Sequence, residues 1–257
     1  MSLANLQNDM VGIEKTEERD SVGGGGAVES GVYDATIEVA YTLKAKSGAL
    51  GFITVFVTAD GSKITDRQYI TSGDAKGNKP YYEKDNKKFP LPGYSHVDFM
   101  TDLLVGKSLT ALQEQEAMLK LYDGALQKEV PTSVTVFPEL RGLNVKVGIL
   151  KIRENKTVKV GSAYTATNEE RILNECAKFF DGLTGKTKTE LRAGEEAAFI
   201  TKWKEKNEGQ VVDKFKEIAG AAKGGNPFAG QAVSNGGNGA VAAAASGMFG
   251  TTPPAAT

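Results

Sequence analysis

The sequence predicts an α+β protein built on an antiparallel β-rich core. Three observations predict this class. Several short segments alternate apolar and polar residues with the period of a strand, and amphipathic segments of helical spacing interrupt and follow them. Segments of biased composition, some of them rich in glycine, flank these predicted elements on both sides. The composition, 40% hydrophobic and 25% charged over 257 residues, is that of a globular chain.

The first strands are predicted from alternation and from one turn. Tyr33, Ile37 and Tyr41 belong to an alternating apolar series that is typical of a half-buried strand. The run GFITVFVT continues through Ala59-Asp60-Gly61 into KITDRQYI, and a DG pair between β-rich segments predicts a hairpin. Residues 71–93 are rich in glycine, proline and lysine, which predicts a long loop.

Helices are predicted next. Ser95 and Asp98 have the spacing of a capping box for a helix that Gly106 ends, and residues 110–122 predict a second helix. Strand patterns return in PTSVTVFP, in LNVKVGILKIR and over residues 157–164.

The carboxyl third is predicted to be helical. Thr167 and Glu170 suggest a capped helix through EERILNECAKFF, and amphipathic segments follow over about 194–207 and 211–222. Short strands interrupted by helices, with helices last, favour an OB-like antiparallel β-barrel with helical insertions and C-terminal helices.

Four regions follow from the composition. Residues 1–30 form a predicted flexible acidic arm that ends in a glycine hinge, 31–166 an OB-like β-rich core, 167–223 a C-terminal helical region, and 224–257 a disordered tail. The tail is uncharged, and eight of its 34 residues are glycine and nine alanine. Its isolated apolar residues are Phe228, Met248 and Phe249.

The rarest residues exclude the most chemistry. One cysteine and one histidine cannot form an internal disulfide, a Cys/His zinc site or an iron–sulfur cluster, and no cofactor is expected. A nucleophilic pair of Cys176 and His96 is conceivable, but a buried, inert thiol is favoured. There is no apolar run of membrane-spanning length and no leader-like amino end, so we expect a cytoplasmic protein without a membrane partner.

Basic residues cluster although the net charge is −1. Residues 141–160 carry six cations against Glu154 alone, and residues 76–88 carry five lysines among aromatic residues. Cations that follow phosphates and rings that stack on bases are the components of a single-stranded nucleic-acid groove. The candidate phosphate contacts are Lys76, Lys79, Lys87, Lys88, Arg141, Lys146, Lys151, Arg153 and Lys156, and the candidate base contacts are Phe52, Phe56, Tyr69, Tyr81 and Tyr82. Arg67 is a further candidate DNA contact.

The aromatic candidates on the first hairpin allow two interpretations. Phe52 and Phe56 share one strand face, while Ile53, Val55 and Val57 share the other, so one of two apolar faces must be covered. The phenylalanines either form a second core layer under the helices or a stacking platform for bases. Tyr69, next to Arg67, has the same ambiguity.

Several segments resemble, in their order and residue pattern, the sequences of the single-stranded DNA-binding replication proteins of tailed bacteriophages. The segments are GVYDATIEVAYTLKAKSGALGFITVFVTADG, ITSGDAKGN, LPGYSHVDFMTDLLVGKSL and LRGLNVKVGILKIRENK, within residues 31–203. The resemblance implies an OB fold, binding of single-stranded DNA without sequence specificity, roles in phage DNA replication and recombination in the host cytoplasm, and no catalysis.

The chain departs from that family at its carboxyl end. Such proteins usually end in an acidic tail that recruits partners and competes with DNA, whereas residues 224–257 carry no charge. Replication or transcription proteins are therefore expected to bind through the apolar tail residues or the amino arm, and self-association is a further expectation. We hypothesise that the acidic amino arm supplies the competing charge.

Two other functions compete with DNA coating. A structural or scaffolding phage protein would use the β core and the arms for self-assembly. A DNA-processing enzyme would need carboxylates grouped around a hard metal, and Asp66, Asp74 and Asp85 are too scattered for that.

Overall fold

The computed structural model describes residues 26–161 and 163–218. Within them the chain forms an antiparallel β structure with three short α-helices. The strands are β1 (Gly31–Lys44), β2 (Leu50–Thr58), β3 (Lys63–Tyr69), β4 (Tyr81–Lys84), β5 (Lys87–Pro90), β6 (Gln115–Asp123), β7 (Lys128–Val136), β8 (Asn144–Val160), β9 (Ala163–Asp181) and β10 (Val211–Asp213). The helices are α1 (Pro92–Val105), α2 (Lys188–Ala193) and α3 (Phe199–Asn207).

Strand β1 lies at the centre of the main sheet. It pairs with β2 on one side and, on the other, first with β8 and then with β7. Strand β3 follows β2, β6 pairs with β7, β9 pairs with β8, and β10 runs parallel to β8. The α+β class with mainly antiparallel strands is therefore confirmed, whereas these strands do not close into the predicted barrel.

The main core lies between the sheet and α1. Ile37, Phe52 and Phe56 point from β1 and β2 toward Val97 and Met100 of the helix, and all five are almost fully buried. Alternate residues of a strand point to opposite faces, so Ile53 and the residues paired with it on the neighbouring strands lie on the side of the sheet away from α1. We call that side, opposite α1, the outer face.

A second apolar cluster covers part of the outer face. Tyr41, Ile53 and Val134 are buried there, and Leu119 and Leu121 of β6 pack on them. The β6–β7 hairpin thus folds beside the outer face of β1 and β2, which makes that face concave.

The predicted helix over 110–122 is wrong. Residues 109–111 form a short 3-10 turn, and β6 starts at Gln115. Ala117, Leu119 and Leu121 alternate with exposed Glu116 and Lys120, which is a strand period. Pairing with β7 over the whole length of β6 overrides the helix propensity of its Glu, Leu, Lys and Met residues.

The predicted helix after Thr167 is also wrong. Strand β9 runs from Ala163 to Asp181 and pairs with β8 in a long two-stranded ribbon. The strand predicted over 157–164 instead contains the turn of this ribbon, and β9 crosses the predicted region boundary at residue 166. Thr167 and Glu170 consequently cap no helix.

Other predicted elements are corrected in detail. Helix α1 exists, but it starts at Pro92, and Asp98 accepts a hydrogen bond from the Leu109 amide (2.8 Å) instead of forming a capping box with Ser95. The loop predicted over 71–93 contains the β4–β5 hairpin. Of the helix predicted over 211–222, residues 211–213 are strand, residues 214–218 have no regular secondary structure, and the rest lies outside the described residues.

The predicted terminal arms lie mostly outside the described residues. Residues 26–30, assigned to the amino arm, are held by the body: Ser30 is buried, and the Asn174 carboxamide exchanges two hydrogen bonds with the main chain of Val28. In the part of the chain that the structure describes, no helix is long and apolar enough to cross a membrane.

Candidate nucleic-acid interface

A groove lies on the outer face between the β1–β2–β3 strands and the β6–β7 hairpin. Its volume is about 630 Å³. Val39, Tyr41 and Val55 line it from the sheet, and Leu119 and Leu121 line it from the hairpin. Its cationic lining residues are Lys63, Lys120 and Arg141. The arrangement is an apolar floor with positive charge at the margins.

Strand register places two predicted residues on the same face as the groove. Tyr41 is opposite Ile53, and Ile53 is opposite Arg67, so these three side chains lie in a line across the sheet. Tyr69 is opposite Gly51, and a Cβ atom at Gly51 would lie 3.7 Å from the Tyr69 ring. The tyrosine ring therefore covers a glycine and stays 49% exposed.

The cations of the outer face differ in how they are neutralised. Lys63 pairs with Glu38 at 2.7 Å. Arg67, Lys120 and Arg141 are exposed, and none of them has an ion-pair partner among the described residues. Unpaired cations beside an apolar surface favour the binding of an anion with apolar groups.

Tyr41 lines the groove and lies near the positive charge of Arg67. Burial raises the pKa of its hydroxyl, and the nearby Arg67 guanidinium offsets part of that rise. The hydroxyl therefore remains neutral around neutral pH.

The predicted cations of β8 are neutralised by carboxylates of the same chain. Lys146 pairs with Asp34, Lys151 with Glu29, Arg153 with Glu170 and Asp213, and Lys156 with Glu169. The hydrogen bonds to its two carboxylates raise the pKa of the Arg153 guanidinium above its already high ordinary value. Four of the six cations that look positive in the sequence are thus paired in the fold, whereas Arg141 and Lys159 have no ion-pair partner among the described residues.

Phe52 and Phe56 cannot stack on bases in this structure. Both are buried in the core, 1% and 0% exposed, and Phe52 stacks on Phe137 with 4.9 Å between ring centroids. Of the two interpretations of this hairpin, the core layer is the correct one, because α1 covers the phenylalanine face.

The remaining predicted residues lie on or next to the β4–β5 hairpin. Tyr81 and Tyr82 are on β4, Lys87 and Lys88 are on β5, and Lys76 and Lys79 precede the hairpin. The preceding segment docks on the β1–β2 turn, where the Asp74 amide donates to the Ser47 carbonyl at 2.9 Å. At Gly73 a Cβ atom would lie 2.8 Å from that carbonyl, and φ is +84°, so glycine is required there.

Cys176 and His96 do not form an activated pair. Cys176 is buried on β9, and burial raises the pKa of its thiol well above the usual value, which disfavours the thiolate. The His96 imidazole instead lies 3.0 Å from an Asp66 carboxylate oxygen and packs on the Phe179 ring. No group of three or more His, Cys, Asp or Glu side chains among the described residues is arranged to hold a metal ion.

Sequence reasoning missed Lys63, Lys120 and Tyr41. A signal for Lys63 was present, because Lys63, Thr65, Arg67 and Tyr69 alternate with apolar Ile64 and belong to one strand face. Lys120 was missed because its segment was predicted to be a helix. Comparison of the chain with protein-family models, with curated proteins and with solved structures found no match.

Proposed function

We propose that the protein binds single-stranded DNA along the outer face, without sequence specificity, and coats and protects it during phage DNA replication and recombination. The observation that carries the proposal is the groove with an apolar floor and unpaired cations at its margins. Phosphates would lie along Arg67, Lys120 and Arg141, while bases would contact Tyr69 and the apolar floor.

The position of the groove supports an OB-like arrangement. OB folds bind oligonucleotides on the face of their second and third strands, between two flanking loops. Here β2 and β3 carry Ile53, Arg67 and Tyr69 on that face. The β1–β2 turn leads into β2, and the β6–β7 hairpin pairs with the neighbouring strand β1. The proposal does not require a closed barrel, because an open sheet offers the same face.

Photocrosslinking tests where the DNA lies. An oligo(dT) strand carrying 5-iododeoxyuridine is irradiated in complex with the protein, and the attached peptides are mapped by mass spectrometry. We expect adducts on β3 and on the β6–β7 hairpin. Adducts confined to the β8–β9 ribbon would contradict the assignment of the groove.

The same preparation tests the rival function. A structural or scaffolding phage protein would form defined oligomers and would show no salt-sensitive affinity for DNA. Mass measurement without DNA, combined with an absence of crosslinks at any salt concentration, would favour that alternative.

A further inference from the structure

We propose that one face of the β4–β5 hairpin is a second contact surface that extends the DNA path beyond the groove. This inference rests on the proposed function. The face consists of Tyr82, Lys84, Lys87 and Phe89, and it would take a continuation of the same single strand.

Register divides the hairpin into two unlike faces. Tyr82 is opposite Phe89 and Lys84 is opposite Lys87, and directly opposite residues of an antiparallel pair share a face. The Tyr82 and Phe89 rings stack on each other at 5.6 Å, and both side chains remain about 40% exposed. In the described part of the chain, neither Lys84 nor Lys87 has an ion-pair partner.

The opposite face is already occupied by contacts within the hairpin. Tyr81, Glu83 and Lys88 lie there, and the Lys88 ammonium is 4.7 Å from the Tyr81 ring centroid. Lys79 lies 5.6 Å from the same ring and 4.0 Å from the Glu83 carboxylate. Because these groups contact each other, Lys79, Tyr81 and Lys88, which the sequence predicts as DNA contacts, are expected to contribute less than the unpaired lysines and exposed rings of the first face.

The hairpin is held as a short ribbon whose base lies next to the end of β3. Asp85 and Asn86, with φ of 51° and 57°, form its two-residue turn, and the Leu91 amide donates to the Pro80 carbonyl at its base. Two residues farther on, a Cβ atom at Gly93 would lie 2.4 Å from the Tyr69 carbonyl oxygen. The base of the hairpin therefore adjoins Tyr69, the exposed aromatic residue of the outer face.

The test compares two pairs of substitutions that remove the same charge from opposite faces. Lys84→Gln with Lys87→Gln changes the proposed contact face, and Lys79→Gln with Lys88→Gln is the control. All four side chains are exposed, so both variants are expected to fold. Affinities are measured by fluorescence anisotropy for oligo(dT) strands of increasing length at several salt concentrations.

We expect the contact-face variant to bind long strands more weakly and to reduce the slope of log K against log salt by about 1.4. It should match the unsubstituted protein on strands that fill only the groove. Tyr82→Ala with Phe89→Ala should lower affinity for long strands about tenfold or more, and Tyr81→Ala should change it less than about twofold.

Each remaining outcome contradicts a specific statement. If the unsubstituted protein binds single strands but both lysine variants lose affinity equally, the assignment to one face is wrong. If neither loses affinity, the hairpin lies outside the DNA path. If the unsubstituted protein binds no strand of any length, the proposed function itself fails.

Discussion

Charge pairing separates the basic residues of this protein into two groups. Lys146, Lys151, Arg153 and Lys156 contact carboxylates of the same chain, whereas Arg67 and Arg141 have no ion-pair partner in the described part. A phosphate that approaches a paired cation must displace a carboxylate, so the unpaired arginines should contribute more to DNA affinity.

Arg67→Gln and Arg141→Gln test this difference. Each should reduce the salt dependence of binding to single-stranded DNA by about 0.7 in the slope of log K against log salt, because one phosphate contact is lost. Lys156→Gln, which removes a cation paired with Glu169 at 2.7 Å, is the control and should leave the slope nearly unchanged. A larger effect at Lys156 than at either arginine would contradict the groove assignment.

Tyr69 is the aromatic residue of the outer face best placed to stack on a base. Tyr69→Ala should weaken binding by about 1–3 kcal/mol, while Tyr69→Phe should retain most of the affinity because it keeps the ring. Tyr164→Ala is a suitable control, since Tyr164 is 73% exposed but lies near the tip of the β8–β9 ribbon. Anisotropy titrations with oligo(dT) measure both effects, and equal losses for the two alanine variants would contradict this role.

At the scale of single elements, the sequence predicts strands well where alternation is strong and fails where residue types favour helices. The β1 pattern and the Asp60-Gly61 turn predict the β1–β2–β3 meander correctly. Strands β6 and β9 contain many Glu, Leu, Lys and Ala residues, and only their long-range pairing with β7 and β8 determines their conformation. Local propensity cannot contain that information.

Part of the proposed outer-face site could be predicted in the same way. Arg67, Tyr69 and Arg141 are named from the sequence, and the register of the hairpin would have placed Ile53 rather than Phe52 on the Arg67 face. Tertiary packing decides which face of the sheet α1 covers, so the burial of Phe52 was not predictable from its strand alone. The pairing of the β8 cations depends on residues as far apart as Asp34 and Lys146, which local charge counting cannot detect.

One buried carboxylate joins the two C-terminal helices. Glu190 forms a capping box with Thr187 at the start of α2 and also accepts a hydrogen bond from the Phe199 amide, the first residue of α3, at 2.7 Å. Burial alone would raise the pKa of Glu190, but the hydrogen bonds from Thr187 and Phe199 outweigh it, and the pKa is lowered.

Glu190→Ala should therefore destabilise the protein by about 2 kcal/mol at neutral pH, since it leaves buried amides without an acceptor.

Because the folded pKa of Glu190 is lowered, the stability linked to its ionisation is present above the unfolded pKa and is lost as pH falls through the folded value. Urea unfolding of Glu190→Gln and the unsubstituted protein should show a difference that shrinks from about pH 7 to about pH 3. A constant difference would contradict the role of the charged form.

At the scale of the whole molecule, the acidic amino end and the basic outer face have opposite charge. Residues 1–22 carry Asp9, Glu14, Glu17, Glu18 and Asp20 against Lys15 and Arg19. If this segment competes with DNA, its deletion should tighten binding at low salt and have little effect at high salt, where charges are screened. Unchanged affinity at low salt would contradict competition by the amino arm.

Binding to single-stranded DNA is the central claim, and it is tested most directly by comparing strands with duplexes. Fluorescence anisotropy of a labelled oligo(dT) of about thirty nucleotides, next to the matching duplex, is measured at about 50 and about 200 mM salt. We expect tight binding that weakens with salt and prefers the single strand, because the groove floor contacts bases that a duplex hides. Weak binding, or equal binding to strand and duplex, would contradict the proposed function.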